Sequence, residues 1–135
     1  MESESIVLDS SALVAILLRE PGFERIEKAL ARAKSIFMSS ATRFEVCMVM
    51  SGRKIVFSEY DMIEAEQLFS LQIESFTADH AVHAFAAFRR FGKGNHKAGL
   101  NFGDCQAYAT AKLANLPLLF IGNDFGHTDL KTVKI

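Results

Sequence analysis

No run of apolar residues in this sequence is long enough to cross a membrane: IVL near the start and LPLLFIG near the end are strand-sized, against the ~20 residues a spanning helix needs. Nor does a basic segment lead into an apolar stretch and a cleavage site, so no secretory signal is expected. Cysteine is scarce. Cys47 and Cys105 are the two present, and they form no CxxC pair, which speaks against thiol metal ligation and a disulfide framework alike. Each sits in an apolar helical pattern and reads as a small core residue in a reducing cytosol. An excess of one charge is missing as well. Fifteen Lys and Arg against sixteen Asp and Glu leave a formal charge of −1. That excludes a generically basic nucleic-acid binder, though not one whose acidic centre offsets a basic rim. GKGNHK is neither a P-loop nor GxGxxG, and no GxSxG marks a serine hydrolase.

What remains is a chain of 135 residues, half of them hydrophobic and twelve of them Phe, ample for one domain with a sizeable core. Short β-type runs alternate with longer segments of helical period, the pattern of a parallel sheet covered by helices. Strands are expected at Ile6–Leu8, Ser35–Met38, Ile73–Phe76 and Leu118–Ile121, with an edge strand at Thr132–Ile135. Helices are expected at Ser10–Arg19, Phe23–Lys34, Ala41–Met50, Ser58–Leu71, Ala78–Phe91 and Phe102–Ala114, the last capped by Asn101. The segment 91–100, with three Gly and several cations, reads as a loop. No repeat, linker or low-complexity segment divides the chain, so residues 1–135 are expected to form one α/β domain.

Most of the acids lie on solvated helix faces, but four do not. Asp9 ends the first strand, where open α/β sheets bind ligands; as a helix N-cap it would also be unremarkable. Asp124 ends the last long strand, in FIGNDF, and has a turn role as its plain alternative. Glu45 sits in a helix that is apolar nearly all round, with Ala41, Met48 and Val49 as its neighbours on one face. A carboxylate buried there needs a partner, Arg43, a lysine or a metal. Asp104 forms a capping-box pair with Asn101, yet shares its face with Ala107 and Ala111, small residues that let another element approach. Two unit charges about 4 Å apart repel by roughly 4 kcal/mol at an effective dielectric near 20, so four converging carboxylates call for a cation. Hard oxygen donors without His or Cys suit Mg2+ or Mn2+, and ions so held serve phosphodiester hydrolysis.

These residues resemble the VapC-type PIN domains, the toxin ribonucleases of bacterial toxin–antitoxin pairs. IVLDSSALVAILLREPGFERI is similar to the family's opening, with Asp9 at its first acid. SSATRFEV resembles the second motif, with Glu45, and NFGDCQAYATAKLANLPLLFIGNDFGHTDL resembles the third and fourth together, with Asp104 and Asp124. Asp129, in HTDL, matches a further acid that assists the site or orders its loop. Gln106 departs from the pattern, standing where many relatives have an aromatic, which bears on packing or antitoxin contacts. The resemblance covers essentially the whole chain. It implies a three-layer α/β/α PIN fold around a mainly parallel sheet of four to five strands. It further implies a Mg2+- or Mn2+-dependent endoribonuclease acting on structured RNA such as transfer RNA, a cognate antitoxin, a homodimer, and no membrane role in a cytoplasmic protein.

On this reading Asp9, Glu45, Asp104 and Asp124 hold the metal, and Ser10 orients a water or a phosphate oxygen. Arg89, Arg90, Lys93, His96 and Lys97 crowd one stretch before Asp104 and are candidates for phosphate contacts, with a solubilising loop as the alternative. The first two helices carry more apolar surface than one short sheet face needs, a mark of a partner groove, and the family docks its antitoxin there. Other readings fit less well. The haloacid-dehalogenase pattern wants an acid where Ser11 stands, and a receiver domain wants an acidic pair just before its strand-end Asp. A catalytically silent PIN-like module that binds RNA or protein is the non-enzymatic alternative.

Overall fold

The computed structural model describes residues 3–53 and 55–135. Four strands, β1 (Ile6–Leu8), β2 (Ile36–Ser39), β3 (Leu71–Glu74) and β4 (Leu118–Leu119), form one sheet in the order β3-β2-β1-β4. Every pairing is parallel. Between the strands run α1 (Ser10–Leu17), α2 (Phe23–Arg32), α3 (Ser40–Gly52), α4 (Glu59–Phe69), α5 (Ala78–Phe91) and α6 (Phe102–Ala114).

Alternation along the strands divides the interior. Ile6, Leu8, Met38 and Leu119 face a core built with α1, α2, Val46 and Met50 of α3, and Met62 of α4. Val7 and Leu118 face the other way, toward Ala87 and Phe91 of α5 and Cys105, Tyr108 and Ala111 of α6. Both faces of the sheet are thus covered, which is why β1 is an unbroken buried run. The expected three-layer α/β/α arrangement is the one observed. Because β1 lies between β2 and β4, the strand order reverses beside its carboxyl end, the position where open α/β sheets form a binding crevice.

Two helices have the boundaries read from the sequence, Ala78–Phe91 and Phe102–Ala114. Elsewhere the ends move, for identifiable reasons. The first helix stops at Leu17, short of Arg19, because Arg19 turns left-handed (φ 52°); the amide of Glu20 then bonds back to Ala15 O, a Schellman-type closure. The second stops at Arg32 with Ala33 extended. The second strand runs one residue past the expected Met38 to Ser39, whose hydroxyl caps α3, so that helix begins at Ser40 rather than Ala41. The fourth helix ends at Phe69 because Ser70 is left-handed (φ 51°), so β3 begins at Leu71, two residues ahead of the expected Ile73–Phe76. The last expected long strand is cut to Leu118–Leu119. The expected edge strand at Thr132–Ile135 is reduced to an isolated parallel bridge between Leu118 and Thr132. Cys47 is partly buried and Cys105 buried, both free thiols.

A carboxylate centre at the carboxyl end of the sheet

Asp9 leaves β1 and caps α1, its Oδ2 accepting bonds from the Ser11 amide (3.2 Å) and hydroxyl (2.6 Å). The same hydroxyl accepts the amide of Ile121 (3.0 Å), so one Ser11 side chain stitches the end of β1 to the segment leaving β4. Ser10, which starts α1, is half-exposed, and the hydroxyl turned onto Asp9 is that of its neighbour Ser11.

Glu45 comes from the middle of α3 and lies against α6 where Gly103 leaves room for it. A Cβ built on Gly103 would fall within 3.0 Å of three atoms of the Glu45 carboxyl group. Arg43 does not serve as its partner; that guanidinium is committed to Glu59 and Glu66 of α4. Asp104 follows Gly103 directly and realises the capping box: its Oδ2 accepts the Asn101 amide (3.0 Å) while Asn101 Oδ1 accepts the Asp104 amide (2.9 Å). The cap and the site are therefore not rival readings of Asp104. Asp124 is exposed at the start of a short 3-10 turn, Phe125–His127, anchored by the buried Phe125.

Electrostatics tie these acids together. Burial pushes the Asp9 carboxyl up to about 7, and the charges of Asp104 and Glu45 add to the rise while Ser11 opposes it. Asp104 is pushed up to about 6, by burial first and then by Asp124 and Glu45, against the pull of the Asn101 amide. Asp9, Glu45 and Asp104 thus feel one another, and Asp124 joins through Asp104. Two buried oxygens, Asp9 Oδ1 and Glu45 Oε1, accept no hydrogen bond among the described residues, a cost of a few kcal/mol each unless a cation or donor meets them. Among the described residues no three such side chains stand close enough to enclose an ion as placed. The donor chemistry, all oxygen with two unpartnered buried atoms, fits a hard divalent cation.

A pH dependence follows. Both raised acids bind their protons more tightly folded than unfolded, so their contribution to stability is full below the unfolded value of 3.8 and is lost as pH rises through about 6 to 7. In EDTA the melting temperature should therefore fall between pH 5 and pH 8, and Mn2+ should restore it at pH 8. Thermal melts across that range read both effects; a flat profile would show that the acids are not buried together.

Asp129 lies outside this group. Its carboxylate takes Tyr108, Lys112 and Arg90 as partners. Among the cations, Arg89 stands over the Phe85 ring (5.8 Å) and Arg90 over the Phe91 ring (4.6 Å). Lys93 and Lys97 are exposed in the loop after α5, while His96 is half-buried, its Nδ1 accepting the Ala98 amide. Two grooves with many apolar lining residues open on the surface, the first also carrying Arg19, Glu27, Asp61 and Glu64. One of about 420 Å3 lies among α1, α2 and α4, lined by Leu17, Phe23, Val56, Leu68 and Phe69. Another of about 460 Å3 lies between α5 and α6, lined by Phe76, Phe85, Phe88, Phe102 and Gln106.

Residues 6–131 match the family model of the PIN domain. Among characterised sequences, Ribonuclease VapC36 of Mycobacterium tuberculosis is 43% identical over 129 residues, covering 93% of this chain and 91% of that protein. Ribonuclease VapC30 of the same species is 42% identical over 133 residues, 96% and 99% of the two chains. In three dimensions the chain is similar to M. tuberculosis VapC20, a Sarcin-Ricin loop cleaving toxin, with a TM-score of 0.74 at 15% identity over 96% of this chain and 99% of that one. A toxin–antitoxin complex from Klebsiella pneumoniae gives 0.67 at 20% identity over 92% of each chain.

Proposed function

The chain belongs to the PIN-domain family and within it to the VapC ribonucleases, and from that premise we infer that it is an endoribonuclease, the toxin of a toxin–antitoxin pair, working through Mg2+ or Mn2+ at Asp9, Glu45, Asp104 and Asp124. The single observation that carries the site is the pair of buried, unpartnered oxygens on Asp9 and Glu45, beside Asp104 at the sheet's switch point. A divalent ion bound there supplies an activated water and stabilisation of the leaving oxygen in phosphodiester hydrolysis.

The chain's own residues prepare that site. Ser11 fixes Oδ2 of Asp9 and leaves Oδ1 free to face inward. Gly103 admits the Glu45 carboxylate against α6. The Asn101 cap holds Asp104 by Oδ2, leaving Oδ1 for the centre. Asp124, exposed on its turn, stands at the solvent side, where substrate enters. Arg89, Lys93 and Lys97, all exposed, would contact RNA phosphates, positioning the strand without reading its sequence. Arg90, already shared with Asp129, is the least free of the four cations.

The substrate we propose is structured RNA, with transfer RNA the first to test, and the protein acts in the cytoplasm, where that RNA is. The whole chain, 1–135, is read as a single PIN domain. The groove among α1, α2 and α4 is where an antitoxin helix would lay its apolar face. A second copy of the chain is the proposed partner in a homodimer.

The test is incubation of the purified, antitoxin-free protein with total transfer RNA and Mg2+ or Mn2+, against an EDTA control. Metal-dependent cutting is the expected result. If neither cutting nor a stabilisation by Mn2+ appears, the latter about 2.7 kcal/mol at a hundred times its dissociation constant, a silent binding module becomes the better reading.

A further inference from the structure

Asp129 is the acid that the centre does not use, and its surroundings are specific. Its Oδ1 accepts the Tyr108 hydroxyl (2.5 Å) and its Oδ2 accepts Lys112 Nζ (2.9 Å) and Arg90 Nη1 (3.4 Å). Tyr108 is 4% exposed, and its hydroxyl reaches this carboxylate from the heart of α6, in the same helix as Asp104. Arg90 comes from the last turn of α5. Asp129 itself belongs to the segment that leaves β4, carries Asp124 and returns to the sheet at Thr132. One carboxylate therefore ties that segment to both helices of its layer. Partial desolvation raises its carboxyl, but the Tyr108 and Lys112 bonds, with the charges of Lys112 and Arg90, bring it below the usual carboxylate value.

Upstream the segment is tied where the Ile121 amide meets the Ser11 hydroxyl, and downstream where Lys131 and Val133 bond to Leu118; the turn between is held by fewer contacts. The 3-10 turn is three residues long, its backbone bond from Thr128 to Phe125 O and the Thr128 hydroxyl on the same carbonyl are local, and Phe125 is the buried side chain that anchors it. Phe125 fixes one end, packed on Phe120 (5.1 Å). Asp129 fixes the other. Asp124 opens the turn that these two anchors hold, so the orientation of the turn, and with it the direction of Asp124 toward Asp104, is set from both ends.

We propose that Asp129 is a positioning residue: through Tyr108 and Lys112 it holds the 122–130 segment so that Asp124 faces Asp104, and it binds neither ion nor substrate. The inference rests on the nuclease reading for its kinetic arm and on geometry alone for its structural arm.

The experiment compares the full-length wild type with Asp129→Ala, Tyr108→Phe, Asp124→Ala and the Asp124→Ala/Asp129→Ala double variant. Hydrogen exchange measured by mass spectrometry should rise across 122–130 in Asp129→Ala and, less, in Tyr108→Phe, with the β1 and β2 peptides unchanged. This arm needs no activity. Unchanged exchange in the segment, or a rise spread over the whole chain in both variants, overturns the proposal. In the kinetic arm Asp129→Ala should lower kcat about tenfold at nearly constant KM, and the loss should vanish in the Asp124→Ala background, since Asp129 acts through Asp124. A loss of equal size in that background overturns it too. If the wild type itself cuts no RNA, the nuclease reading fails while the exchange data still decide the latch.

Discussion

Asp9→Asn is expected to silence RNA cleavage and, in the same sample, to raise the melting temperature of the metal-free protein at pH 8. Asp9 is 3% exposed, its carboxyl is pushed up to about 7, and its Oδ1 has no hydrogen-bond partner among the described residues. At pH 8 the wild type must bury that charge. Asparagine has nearly the same shape, keeps an oxygen for the Ser11 amide and hydroxyl, and turns an amide donor toward Glu45 and Asp104 where a bare oxygen stood. At 1.36 kcal/mol per unit, the rise from 3.8 to about 7 corresponds to roughly 4 kcal/mol as an upper figure, or on the order of ten degrees of melting temperature for a domain of this size. The gain should shrink toward pH 5, where the wild type holds its proton. Adding Mn2+ should then stabilise the wild type and leave the variant almost unmoved. Differential scanning calorimetry in EDTA and in Mn2+, beside a cleavage assay, reads all three effects. A variant that melts below the wild type at pH 8 in EDTA would contradict the buried-charge account, whatever its activity.

Gly103→Ala should do the opposite kind of damage, costing activity with little cost in stability. A methyl group at this position overlaps the Glu45 carboxyl group, which sits at the end of a flexible side chain and can swing away more easily than a backbone can. The helix does not object, since alanine is favoured over glycine in helices by about 1 kcal/mol. Displacement of Glu45 removes one donor from the centre, and a misplacement of about 1 Å at such a site costs on the order of a hundredfold in rate. The expected outcome is a near hundredfold fall in kcat with a melting temperature close to the wild type's. Glu45→Ala should give a similar fall, and the Gly103→Ala/Glu45→Ala pair should be no worse than either alone. Full activity in Gly103→Ala, or additivity in the pair, would show that Glu45 takes no part.

The contrast between the two variants says how the site is built. Its acids are held by features whose sequence signals are ordinary: an N-cap, a capping box, a glycine in a helix. The two caps have a complete structural explanation, and both explanations are in force in the folded protein. Asp9 does cap α1, and Asp104 does close a box with Asn101. Function is layered on them because a carboxylate needs only one oxygen for the cap. The second oxygen is then aimed, at no extra conformational cost, by the same bond.

Local chemistry in the sequence was enough to determine the class of fold and several elements outright. Thr77 with His80, and Asn101 with Asp104, close capping boxes within four residues of chain, so α5 and α6 begin where the sequence says they do. The alternation of short apolar runs with helical segments likewise required a parallel, two-sided sheet, and the apolar surroundings of Glu45 already demanded a partner for it. Strand extents were not legible in this way, because a strand lasts only as long as its neighbour does. Ile121 is lost to β4 when its amide goes to the Ser11 hydroxyl, and Thr132–Ile135 finds only one bridge. Nor could the chain by itself say that Ser11 rather than Ser10 turns onto Asp9, that Gly103 makes room for Glu45, or that Asp129 answers to Tyr108 and Lys112. The first is a choice between adjacent side chains on a helix, and the others are contacts between residues 17 or more positions apart. Periodicity fixes which residues share a face, but only the packing of α3 on α6, and of the last loop on both helices of its layer, decides which of them meet.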